Sequence, residues 1–172
     1  MRPIIIITDD MISEAKKLIN EVKVNRTIAS EIDTLTGILG EFVFAEYLYG
    51  DWEKHNVGKN KGESDFSDIE IKTSAFPFNE RLNLLVREDY AKKRKPKFYV
   101  QIIIDVESRT AKEIKPNTRA IICGWATSEM VDAAPKRDMG SKVGDRGGYL
   151  SHFININDLN DLDSFGDAYK SK

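Results

Sequence analysis

The sequence predicts an α+β (α/β) domain in which a mixed β-sheet is flanked by helices, and three observations predict it. Apolar residues recur at helical spacing through positions 9–50. Short β-branched runs follow at 69–73, 82–86, 98–106 and 119–125. A brief capped helix and a last strand then close the chain. With 172 residues, 41% of them hydrophobic and 31% charged, the chain suits one domain whose core needs no staples.

Ile4 to Ile7 reads as a short strand, after which Thr8, Asp9 and Asp10 offer capping oxygens to a helix with Met11, Ile12, Ala15, Leu18, Ile19 and Val22 on one face. A second helix carries Ile28, Ile32, Leu35, Leu39, Phe42, Val43 and Tyr47, and stops at Gly50. The lysine- and glycine-bearing stretch 56–64 reads as a loop leading into the strand 69–73. The unbroken apolar run 98–106 predicts a strand buried on both faces at the centre of the sheet. Another strand is expected at 119–125, with Thr127 capping a short helix that contains Met130 and Val131. A glycine-rich basic loop, 135–148, is expected before the last strand, 149–156. We read one domain over 1–172 on a single sheet, with 1–28 as an N-terminal helical extension and 163–172 as a frayed tail.

Composition narrows the chemistry. A formal net charge of -2 gives no long-range field for a polyanion, so any nucleic-acid binding is local. One cysteine, Cys123, forms no internal disulfide, and His55 and His152, both read as unassigned surface residues, are with it too few soft ligands for a zinc site. The apolar start is too short for a signal peptide or a membrane span, so a cytoplasmic protein is expected, with no membrane partner. Carboxylate chemistry remains.

It concentrates in segment 64–73. Residues two apart on a strand share a face about 6.6–6.8 Å apart, so Glu70 and Lys72 project together while Ile69, Ile71 and Thr73 face the core. Ser67 and Asp68 are turn formers, and a tight hairpin there brings Asp65 beside Glu70. Asp68 competes for the role of first acid, but it falls in phase with Glu70 on one strand, whereas the hairpin needs the acid on the partner strand. Two carboxylates and the backbone carbonyl of Ile71 form a half-cage of hard oxygens that suits Mg²⁺. By itself, a Glu-Xaa-Lys tripeptide is most often only a solvated strand face.

The stretch 37–48 on the second helix, the segment 64–74, and the strands 98–106 and 122–127, in that order, resemble the PD-(D/E)XK superfamily of restriction-endonuclease-like nucleases, small phage and mobile-element members above all. The resemblance spans about 34–162. It implies a restriction-endonuclease-like core, and Asp65, Glu70 and Lys72 as the family's metal-binding acid, second acid and lysine. Glu41 then matches the helical glutamate that completes the metal shell. Ser64 stands where the family has proline. The implied activity is Mg²⁺-dependent hydrolysis of DNA phosphodiester bonds, with Mn²⁺ as the alternative ion, on double-stranded or branched DNA and by a chain able to act as a homodimer.

Arg87, Lys92, Lys93, Arg94, Lys95 and Lys97 form a cationic cluster suited to phosphates, with Tyr90 as a stacking ring. Lys136, Arg137, Lys142 and Arg146 are a second candidate set. Rival readings are a nucleic-acid-binding module or complex subunit that keeps the fold without turnover, and an RNA-directed nuclease.

Overall fold

In the computed structural model, which describes residues 2–22, 31–55, 57, 66, 68–93, 96–138 and 150–170, the N-terminal periodicity becomes two helices, α1 (Asp9–Val22) and α2 (Glu31–Tyr49). The Thr8 hydroxyl accepts the Met11 amide at 3.2 Å and so caps α1. Gly50, with φ 70°, ends α2. Before α1, β1 (Ile4–Ile6) joins the sheet, and Ile7, Met11, Ile12, Ala15 and Ile19 enter the main core. The N-terminal segment is therefore part of the domain rather than an extension of it.

Among the described residues, seven strands form two sheets where the sequence suggests one. They are β1, β2 (Ile69–Ala75), β3 (Asn83–Arg87), β4 (Phe98–Ile104), β5 (Arg119–Thr127), β6 (Lys136–Asp138) and β7 (Leu150–Asn155). The first sheet is mixed, in the order β1-β5-β4-β2, with β2 parallel to β4 and the other pairs antiparallel. The second is antiparallel, in the order β3-β7-β6. Short helices α3 (Glu88–Lys93) and α4 (Ser128–Ala133) follow β3 and β5. Thr127 caps α4 by accepting the Met130 amide at 3.1 Å.

Every residue of β4 is buried, as its apolar run demands of an interior strand. The main core lies between the first sheet and the helices, around Phe42, Phe44, Ile69, Val100, Ile102 and Ile104. Two smaller clusters lie on the sheet's other face. One gathers Leu84, Val86, Ala91, Tyr99, Ala126 and Val131, and the other Ile103, Ile121, Cys123 and Ile156. A bulge after Gln101 sets it opposite Gly124, where a Cβ would lie 2.6 Å from Leu159 Cβ and 2.8 Å from the Asn160 carbonyl oxygen.

Three further expectations are corrected. The glycine-rich basic segment opens with strand β6, whose Lys136, Arg137 and Asp138 pair with β7. Beyond Leu162 the chain does not fray but forms α5 (Phe165–Lys170), because the Phe165 ring packs against Phe44, Phe98 and Trp125. His152 is not a surface residue: it is buried, with Nδ1 3.2 Å from the Ala134 carbonyl oxygen. Among the described residues, no helix is long and apolar enough to cross a membrane.

Candidate functional site

β2 is an outer strand of the first sheet, and its alternation divides the segment by face. Ile69 and Ile71 are buried against the helices, while Glu70 and Lys72 are half-buried on the opposite face. The ladder with β4 also fixes the backbone. The Phe98 amide donates to the Asp68 carbonyl and the Phe76 amide to the Ile104 carbonyl, both at 3.0 Å. In a parallel ladder alternate residues address the partner, so the even-numbered residues of β2 bond β4. The carbonyl of Ile71 is consequently directed to the outer edge.

A tight hairpin begins the strand. Phe66 and Ile69 exchange both backbone hydrogen bonds, at 3.0 and 2.9 Å, as an antiparallel bridge. Asp68 occupies the turn with φ 63°, a left-handed conformation that aspartate tolerates better than most side chains, and it is exposed. It is therefore not an extended residue in phase with Glu70. Phe66 is anchored by its ring, 5.2 Å from that of Phe44 on α2. Asp65 lies outside the described residues.

Glu41 lies on α2, which packs on the Ile69 and Ile71 side of β2. Its neighbour Gly40 is where α2 and β2 touch: a Cβ there would overlap the Thr73 hydroxyl and lie 2.7 Å from Thr73 Cβ. Glycine costs a helix interior about 1 kcal/mol relative to alanine, and here it permits the close approach of α2 to β2 at Thr73. The Glu41 carboxylate is half-exposed as a residue, yet its Oε1 is buried, as is Oε1 of Glu70. Among the described residues, no three of His, Cys, Asp and Glu form a metal-binding group.

The floor of the site comes from β4, whose register sets Tyr99 beside Glu70 and Gln101 beside Lys72. Both are almost fully buried, at 3% and 2% exposure. Gln101 Nε2 donates to the Ile102 carbonyl at 3.0 Å. The Tyr99 hydroxyl is pushed up to about 12, first by burial and then by the negative charges of Glu70 and of Asp132 on α4. Neither Tyr99 nor Asp132 follows from the sequence, because the parallel pairing that places Tyr99 joins residues 29 positions apart. The signal available was the in-phase polar pair Tyr99 and Gln101 within an apolar run.

The chain matches no family model, no curated protein and no solved structure. The site therefore has to be read from its own residues.

Of the cationic cluster, α3 lies on the Glu70 side of the first sheet, since Ala91 packs in the cluster with Tyr99. The acids of α3 engage cations of β3, β6 and α3 itself. Arg87 donates to both carboxylate oxygens of Asp89 at 3.1 and 3.0 Å. Glu88 accepts from Lys136 at 2.6 Å and lies 3.9 Å from Lys92. The Lys136 bond, then the charges of Lys136, Lys92 and His152, hold the Glu88 carboxyl below the usual range. Lys97 is exposed and precedes Phe98, the register partner of Ile69, so it lies at the hairpin end of the β2–β4 pair. Arg94, Lys95, Lys142, Arg146 and the side chains of Tyr90 and Lys93 lie outside the described residues.

A cavity of about 320 Å³ lies elsewhere, lined by Arg2, Cys123, Asn157, Asp161 and neighbouring apolar residues. Burial pushes the Cys123 thiol up to about 12, which keeps it protonated and unreactive. None of the described residues in segment 64–73 lines it.

Proposed function

We propose that the protein is a metal-dependent nuclease of the restriction-endonuclease-like type, hydrolysing DNA phosphodiester bonds at the edge of β2. The observation that carries the reading is the pairing of Glu70 and Lys72 on one half-buried face of an edge strand entered through the Phe66–Ile69 hairpin. Glu41 is the second glutamate of this reading, carried by α2, which Gly40 holds against β2 at Thr73.

The donor set suits Mg²⁺ or Mn²⁺. Glu41 and Glu70 offer carboxylate oxygens, one of each buried, and Ile71 offers a carbonyl directed to the edge. Asp65, which lies outside the described residues, is the third acid of this reading. When bound, the ion lowers the pKa of water and neutralises phosphate charge. The Lys72 ammonium, on the Glu70 face, orients the attacking water and offsets charge that develops on the phosphate oxygens. Lys97, at the hairpin end of the same strand pair, meets the neighbouring phosphate.

The test is cleavage of supercoiled, linear, branched and single-stranded DNA, and of RNA, with Mg²⁺, Mn²⁺ or EDTA, by wild type beside Glu70→Ala and Lys72→Ala. DNA cutting that needs the ion and both residues is expected. Cutting that survives EDTA, or equal cutting by the variants, overturns the reading.

A further inference from the structure

We propose that the outer edge of β1 is a self-association surface, on which a second copy of this chain pairs its own β1 antiparallel, with Ile4 of each copy beside Ile6 of the other. β1 ends the first sheet, and among the described residues no strand lies on its far side. The Ile122 amide donates to the Pro3 carbonyl and the Ile7 amide to the Thr118 carbonyl, both at 2.9 Å, so the odd-numbered residues serve the ladder with β5. Ile4 and Ile6 alternate with them and direct their N–H and C=O groups outward. Their side chains are exposed as well, at 49% and 45%, although both are large and apolar.

A free edge is commonly blunted by a charged side chain on the strand, and β1 carries none. Pro3 precedes the strand and meets β5 through its carbonyl, so it leaves the outward groups of Ile4 and Ile6 intact. Such an edge accepts an extended apolar segment, and β1 is itself one. With Ile5 facing Ile5 across a two-fold axis, each Ile4–Ile6 pair exchanges both of its backbone hydrogen bonds, so the edge is complementary to itself. Ile5 packs toward the helices, which puts the Ile4 and Ile6 side chains of both copies on the other face. There Ile121, the register partner of Ile4, already belongs to the apolar cluster with Ile103, Cys123 and Ile156, and the shared strip extends that cluster. Charge favours the antiparallel sense. Arg2 precedes the strand and the exposed Asp9 and Asp10 follow it, so each end meets its opposite in the second copy. Each chain keeps its own β2 edge, and the inference stands apart from the nuclease reading. Because β1 has only three residues the interface is small, and the dimer dissociates on dilution.

Sedimentation equilibrium of the full chain from about 1 μM to about 1 mM tests this, with wild type beside Ile6→Lys, Ile6→Pro and Leu150→Lys. The wild-type mass is expected to rise with concentration toward twice that of the monomer. Ile6→Lys sets a charge in the shared apolar strip, and Ile6→Pro removes an outward N–H that β5 does not use; both are expected to lose the dimer. Leu150→Lys changes a similarly exposed side chain on β7 and is expected to keep it. A wild type still monomeric at about 1 mM overturns the proposal, even if the edge then captures an extended peptide of another sequence. A dimer that survives both substitutions at Ile6, or that only Leu150→Lys dissolves, overturns it too. Should Ile6→Pro fail to fold, Ile6→Lys carries the test alone, because it alters an exposed side chain and leaves the backbone as it is.

Discussion

On the helix side of the β2–β4 ribbon, Ile69, Ile71, Val100, Ile102 and Ile104 are buried against α1 and α2. On the other side the same two strands present Glu70, Lys72, Tyr99 and Gln101. The difference lies in what each face is asked to do. The helix face fixes position by close packing, so tight that the Thr73 hydroxyl is buried against Gly40 with no hydrogen-bond partner. Because that face is rigid, the opposite face can hold charged groups at the sheet edge at modest cost. Substitutions on one face should therefore act on stability, and those on the other on chemistry.

The largest effect is expected from Glu70→Gln, which keeps volume and removes one charge. Cleavage should fall on the order of 10²–10³-fold, while the melting temperature stays close to that of wild type. Cleavage rates under single-turnover conditions and a thermal melt on the same sample check both halves. A variant that cuts normally, or that unfolds, breaks the contrast between the faces.

Much of this division was legible in the sequence, because it follows from alternation. The run at β4, the Thr127 cap and the Gly50 stop were each readable from local chemistry. The second sheet was not. Its edge strand β6 has three residues, all polar and exposed, and exists only because β7 offers it a ladder. The helix α5 was illegible for the same reason: within 163–172 Phe165 and Tyr169 are sparse anchors, and the burial of Phe165 depends on Phe44, Phe98 and Trp125 from three other elements. At the site, Glu70, Lys72 and Glu41 could be named from spacing and from the family resemblance, whereas Tyr99 required the parallel register.

Next in size is Gly40→Ala, which probes the contact joining the two faces. An added Cβ overlaps Thr73, so α2 must move from β2, at a cost of about 1–3 kcal/mol. Thr73→Gly in the same chain should recover part of that loss, a coupling that a double-mutant cycle by urea denaturation measures. Activity should fall further than the folded fraction does, because the shift carries Glu41 with it. Smaller still is Ile102→Val, confined to the helix face. It removes one methyl from a fully buried side chain and should cost about 0.5–1.5 kcal/mol with cleavage unchanged.

The smallest effect concerns how α3 is held over the chemical face. Glu88 joins α3 to β6 through Lys136, and that bond, aided by the charges of Lys136, Lys92 and His152, lowers the Glu88 pKa beneath its ordinary value of 4.5. A carboxyl whose pKa is lower in the folded chain than in the unfolded one stabilises the fold above the unfolded value. That contribution declines as pH falls below 4.5 and is gone once pH has passed through the lowered folded value. At neutral pH, Lys136→Met should therefore be slightly less stable than wild type, by a margin that is flat down to 4.5 and closes in stronger acid. High salt should shrink the margin too, since the pair is solvent-exposed. Urea melts across that range test the sign. A margin that widens in acid would show that α3 is held by its apolar contact through Ala91 alone, and that the acids of α3 serve only to balance its cations.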